Sequence, residues 1–217
     1  KEAVELIKTK KNPLLIFGGG VKYSEAGETF IKFAEKYNIA FGETQAGKGT
    51  ITWEHPLNLG GLGETGGVGA NTIAKDADLI IGVGTRYTDF TTSSKWIYQN
   101  PEVDYININV SKFHAYKMDA VQVVADAKVG LEALDEELSR IGWSVNQEYK
   151  DKVAAAKKAY DAEVERLYHL EYTGDDFVPE VNDDLDFKKV SKEFIELTKS
   201  ALPQTRVLGV LNECMDD

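Results

Sequence analysis

Four short stretches of this 217-residue chain carry residues that could hold a phosphate or a nucleotide. Gly18-Gly19-Gly20 directly follows the apolar run Leu14 to Phe17. Glycines between a buried strand and a helix let the backbone approach a diphosphate while the helix dipole favours the anion. The dinucleotide pattern G-x-G-x-x-G is incomplete, because its third glycine falls on Tyr23, so a tight turn without a ligand is the competing reading. Gly42 to Lys48 satisfies G-x-x-x-x-G-K, but Gly49 stands where a phosphate-binding loop needs Ser or Thr. Ile51, Thr52, Trp53 and the pair His55-Pro56 do not start a helix either, which excludes nucleoside triphosphate hydrolysis. Gly60 to Gly67 is rich enough in glycine to pass close to another backbone or to a ligand. Gly84-Thr85-Arg86 follows a strongly apolar run, and Arg86 could contact a phosphate or pair with Asp89.

Catalytic machinery is not visible. His55, His114 and His169 lack zinc-ligand spacing, no G-x-S-x-G elbow exists, and the single cysteine, Cys214, lies near the end. Each histidine is read as structural. The acid-rich stretch from Glu171 to Asp186 lacks the ordered spacing of a calcium loop and reads as a linker.

The elements that must position these residues alternate. Leu14 to Phe17, Leu79 to Val83, Val103 to Val110 and Val121 to Val124 read as strands, with the short run Ile39 to Phe41 between the first two. Ala26, Phe30, Phe33 and Tyr37 lie on one helical stripe that Ser24 can cap, with Gly27 as a weak point, and Gly130 to Ile141 returns to helical spacing. Strands alternating with helices predict an α/β fold, a doubly wound parallel sheet of about six strands with helices on both faces. This Rossmann-like domain is expected over residues 1–143. Val153, Ala156, Tyr160, Val164 and Leu167 mark a long amphipathic helix beyond it, and Phe187 to Ala201 another, stopped near Pro203.

The formal charge of −11 argues against nucleic acid and anionic membrane as partners. A lone cysteine, no apolar leader and no run of about 18 apolar residues point to a cytoplasmic protein. A start at Lys1 without methionine and a stop at Asp217 after a helical segment suggest a piece of a longer chain.

Taken in order, Gly18-Gly19-Gly20, Gly47-Lys48-Gly49 with His55-Pro56 and Gly60, Gly84-Thr85-Arg86 with Asp89, Ile106 to Val110, and Val124-Ala125-Asp126-Ala127 resemble the central domain of the thiamine-diphosphate-dependent enzymes related to acetohydroxyacid synthase and pyruvate oxidase. The wording of Gly42 to Lys48, Thr85 to Thr92, Asn107 to Ser111 and Phe113 to Lys117 is similar to a member of that family that hydrolyses a carbon–carbon bond in a cyclic 1,2-diketone of myo-inositol breakdown. The resemblance implies thiamine diphosphate and magnesium in the parent enzyme, bound by first and third domains that this chain lacks, and a homo-oligomer. It makes residues 144–203 a helical and acidic linker, and 204–217 the first helix of the diphosphate-binding domain. It also implies that no catalytic residue lies in this chain. In relatives that carry FAD, acidic residues in the strand matching Ile106 to Val110 contact the ribose; here they are Asn107 and Asn109, which favours an empty or differently occupied fold. A nucleotide module binding FAD or ADP is the second reading, with Gly18, Gly19, Gly20, Gly84, Arg86, Asn107 and Asp126 as its cofactor-binding residues.

Overall fold

A computed structural model describes residues 1–171, 186–198 and 202–215, in two compact units, Lys1–Tyr160 and Asp161–Asp217. The first unit opens on helix α1 (Glu2–Thr9), which buries Ala3, Val4 and Ile7. Strand β1 (Pro13–Phe17), the short helix α2 (Gly19–Tyr23), helix α3 (Gly27–Tyr37) and strand β2 (Phe41–Glu43) follow. Strand β3 (Asn58–Gly61) runs into the glycine-rich stretch, and helix α4 (Val68–Asp76) leads to β4 (Leu79–Val83). The single turn α5 (Asp89–Thr92) precedes β5 (Asp104–Asn109), and α6 (Lys112–Ala115) precedes β6 (Val121–Val124). Helices α7 (Ala127–Ile141) and α8 (Gln147–Tyr168) complete the order.

All neighbouring strands are parallel, in the order β3-β2-β1-β4-β5-β6. This is the doubly wound arrangement, with its switch point between β1 and β4, where ligands settle outside the carboxyl ends of the strands. Every residue of β1 and β4 is buried, so the central strands are covered on both faces and read as continuous apolar runs. β6 instead alternates half-buried and exposed residues. Register aligns Phe17 with Val83 and Val83 with Ile108, so the turns after β1, β4 and β5 emerge at one level.

Packing follows from residue type. Phe17, Phe30 and Phe41 form an aromatic triad with ring centroids 5.2–5.8 Å apart, joining β1, α3 and β2. α3 buries Phe30, Phe33 and Tyr37 and ends at Asn38 in the left-handed conformation. Ser24 does not cap it. The chain first makes α2, so α3 starts at Gly27, and the Ser24 hydroxyl instead donates to Asp126 Oδ2 at 2.6 Å.

The first unit runs past residue 143. Tyr149 in α8 is almost wholly buried; its hydroxyl donates to the Pro13 carbonyl at 2.6 Å and accepts the Ala40 N–H at 3.1 Å. Burial pushes the Tyr149 phenol well above its ordinary range, so it remains a donor. Further along α8, Lys157 Nζ reaches the Trp53 carbonyl at 3.0 Å.

In the second unit α8 continues to Tyr168, and helices α9 (Phe187–Thr198) and α10 (Gln204–Cys214) follow. Arg206 Nη1 donates to the Tyr168 carbonyl at 2.9 Å, and Gly209 lies against the same residue. Most of the expected acidic linker, residues 172–185, falls outside the described residues, as do residues 199–201. Among the described residues, no helix is long and apolar enough to cross a membrane.

Replacing Tyr149 by Phe removes one hydroxyl and strands a buried N–H and a buried carbonyl. Tyr149→Phe is expected to cost about 1–3 kcal/mol of stability. Urea unfolding measures this, and an unchanged midpoint at constant m-value would refute the anchoring role.

Candidate ligand cavity at the carboxyl edge

The turns after β1 and β4 meet with no side chain between them. Gly18 N–H donates to the Val83 carbonyl at 2.9 Å and Gly20 N–H to the Gly84 carbonyl at 3.0 Å. A Cβ on Gly18 would lie 2.5 Å from the Gly84 oxygen, and one on Gly20 2.5 Å from the Gly84 Cα. Backbone packing therefore requires glycine at both positions, and two of the three amides in the triplet are spent on it. The later glycine-rich loop also runs against backbone: Gly63 has φ +104°, and a Cβ there would overlap the Phe90 carbonyl oxygen.

Above these turns lies a cavity of about 1130 Å³, built from the segments that follow all six strands. That is ample for a small-molecule ligand, since such pockets run from roughly 300 to 1,000 Å³. Gly18, Gly19, Gly20, Gly84, Arg86 and Asp126 line it together; Asn107 does not, although Asn109 does. Its rim carries Tyr23, Phe90 and Val110, all largely exposed.

The polar residues differ in how far they are already engaged. Asp126 is the N-cap of α7, its Oδ1 accepting the Lys128 N–H at 2.9 Å and the Val129 N–H at 3.4 Å. The Ser24 hydroxyl on Oδ2, more than these amides, holds its carboxyl below the usual carboxylate range. Asn107 is fully buried and donates to the His114 carbonyl at 2.8 Å, while its Oδ1 finds no partner among the described residues. Asn109 donates to the Thr85 carbonyl at 2.8 Å and accepts the Ser111 N–H at 3.0 Å.

Arg86 is exposed and forms no ion pair with Asp89 and no hydrogen bond with any described residue. His114 also lines the cavity, with a buried Nδ1 that has no partner among the described residues. Desolvation, then Lys117, then Arg86 lower its pKa, keeping the imidazole neutral. No spacing rule marks His114, but its place between Lys112 and Lys117, just past a strand end, is the available signal.

Lys48 lines a second, smaller cavity of about 220 Å³ and pairs with buried Glu43 at 2.8 Å. Turns rather than a helix follow it, so the near-match to a phosphate-binding loop is broken in space as in sequence.

The sequence family described as thiamine pyrophosphate enzyme, central domain, matches residues 1–134. The chain belongs to that family. The chain is 56% identical over all 217 residues to a protein named 3D-(3,5/4)-trihydroxycyclohexane-1,2-dione hydrolase from Clostridium tetani, covering 33% of that relative. It is 55% identical over 217 residues to a protein of the same name from Geobacillus thermodenitrificans, again 33% of its length. A Bacillus cereus relative, the same hydrolase numbered 1, is 50% identical over 216 residues and is likewise covered over 33%. The chain thus spans about a third of the length of the curated relatives it matches.

Two cofactors can be tested against these residues. For thiamine diphosphate, no group of three or more His, Cys, Asp or Glu side chains that could hold a metal occurs among the described residues. For FAD or ADP the cavity is large enough, but the ribose positions do not fit. Asn107 lies outside it, and Asn109 already commits one N–H to the Thr85 carbonyl and one lone pair to the Ser111 N–H.

The Ser24–Asp126 contact is testable. Asp126 has a depressed folded pKa, so its contribution to stability is present above the unfolded value and is lost as pH falls through the folded one. Ser24→Ala should raise the Asp126 pKa toward the ordinary range and start acid destabilisation at higher pH, read from the side-chain carboxyl resonance. An unmoved resonance would refute the assignment.

Proposed function

We propose that the parent of this central domain hydrolyses a carbon–carbon bond of a trihydroxycyclohexane-1,2-dione, and that the present residues scaffold that reaction without supplying its reacting groups. The observation that carries this is 50–56% identity, across essentially the whole chain, to proteins named for that activity. Thiamine diphosphate, when bound, supplies a carbon nucleophile and an electron sink for breaking a bond beside a carbonyl. The central domain holds apart and orients the segments on either side of it, and its own groups move no proton in the reaction.

In this reading residues 1–143 are the nucleotide fold, residues 144–203 connect it onward after first docking on the same unit, and 204–217 open the diphosphate-binding domain. Docking of α8 through Tyr149 ties that connection to the fold. Magnesium, a homo-oligomer and a cytoplasmic location belong to the same proposal, and the net charge of −11 fits a small-molecule enzyme rather than a nucleic-acid or membrane binder.

The decisive assay uses the full-length protein with thiamine diphosphate and magnesium. Trihydroxycyclohexane-1,2-dione should be consumed with release of one carboxylate per turnover, and omitting thiamine diphosphate should stop the reaction. Persistence of the diketone under complete conditions would overturn the proposal. The coding sequence beyond Asp217 should also carry G-D-G followed by N-N.

A further inference from the structure

The unengaged groups of the large cavity lie away from its glycine turn. Arg86 has no partner among the described residues, and His114 presents a buried Nδ1 with none. Lys117, which joins no ion pair among the described residues, acts on the same imidazole. Three nitrogen-bearing groups thus gather without a counter-charge in a chain of formal charge −11.

The charged neighbours of His114 leave no acid to compensate. Lys117 and Arg86 are the charges that act on it; Lys112 shares its helix and Asp119 ends the next turn without acting on it, β6 carries no titratable residue, and Asp104 and Tyr105 lie at the amino end of β5, away from the cavity. The one carboxylate lining the cavity, Asp126, is occupied by Ser24 and by the first amides of α7. Gly18 and Gly20 have spent their amides on the β4 turn, and Asn109 has committed one N–H to Thr85 and one lone pair to Ser111. Recognition of a diphosphate and ribose therefore has few groups to use, whereas recognition of one compact anion has a free guanidinium and an imidazole.

We propose that the carboxyl-edge cavity binds the oxyanion of a small polar molecule, a phosphate or a carboxylate, between Arg86 and His114, with Lys117 reinforcing the field. A planar guanidinium offers such a group two parallel donors. Hydroxyls of Thr88, Thr91 and Ser111 line the same space and suit a hydroxylated body attached to the anion. Desolvation and then Lys117 and Arg86 depress the His114 pKa; an anion there offsets the two cations, so binding favours proton uptake by the ring.

Calorimetric titration of the full-length protein with inorganic phosphate and, separately, with glucuronate tests this in two buffers of different ionisation enthalpy. At least one ligand should bind saturably with net proton uptake, and which one does so identifies the anion. Arg86→Gln should weaken binding about 10- to 100-fold, the loss expected for charge-assisted hydrogen bonds. His114→Gln should bind without proton uptake. Arg86 is exposed, so its variant should keep the parent's unfolding temperature. The proposal is overturned if neither anion binds saturably at about 10 mM, if Arg86→Gln binds as well as the parent, or if ADP binds more than about tenfold tighter than phosphate, a margin of about 1.4 kcal/mol.

Discussion

Two backbone turns that touch without an intervening side chain set the geometry of this domain. β1 and β4 are neighbours at the switch point of the sheet, and the chain must leave both at the same level. Gly18 and Gly20 let the first turn lie on Gly84, which itself sits at φ +60°. A side chain at either position would force the strands apart at the place where the sheet is most tightly covered. The cavity exists because these turns then diverge, one into α2 and the other into the segment carrying Arg86. Hydrogen bonds from Gly18 and Gly20 lock the contact and remove two amides from ligand binding.

Much of the fold was legible because buried parallel strands announce themselves. Leu79 to Val83 and Val121 to Val124 match their strands residue for residue, and Leu14 to Phe17 needed only Pro13. β3 was not legible: Asn58, Leu59, Gly60 and Gly61 carry no β-branched side chain, and only pairing with β2 makes them a strand. α4 was hidden in the same way, since its apolar positions are mainly the small residues Ala70 and Ala74 beside Ile73. Ser24 looked like a cap because a Ser before an apolar stripe often is one. It lost that role to tertiary structure, since Asp126 from the far side of the switch point claims its hydroxyl.

The candidate site was legible in outline and not in use. Six of the seven residues singled out for a cofactor converge on one cavity, as expected for segments at the carboxyl edge of such a sheet. Their chemistry had been assigned elsewhere by contacts no sequence displays. The glycines pack, Asp126 caps α7, and Asn107 lies out of reach beneath the His114 backbone. Arg86 alone among the seven carries an unspent charged side chain, and its companion His114 belongs to no catalytic or metal-binding spacing. Unpartnered donors, rather than a recognisable pattern, mark where this cavity can still do chemistry.

The hydroxyl of Tyr149 joins a residue 136 positions earlier in the chain, at the first residue of β1. That strand lies in the middle of the sheet, and one of its two partners, β4, is itself not made until residue 83. During synthesis the apolar segment Leu14 to Phe17 therefore leaves the ribosome long before the residues that cover it. At about 5–20 residues per second, Pro13 waits on the order of ten seconds for the side chain that satisfies its carbonyl. Non-local closure of this kind slows folding and lengthens the exposure of sticky surface. Until α8 has emerged, the start of β1 lacks the hydroxyl that satisfies it in the finished fold.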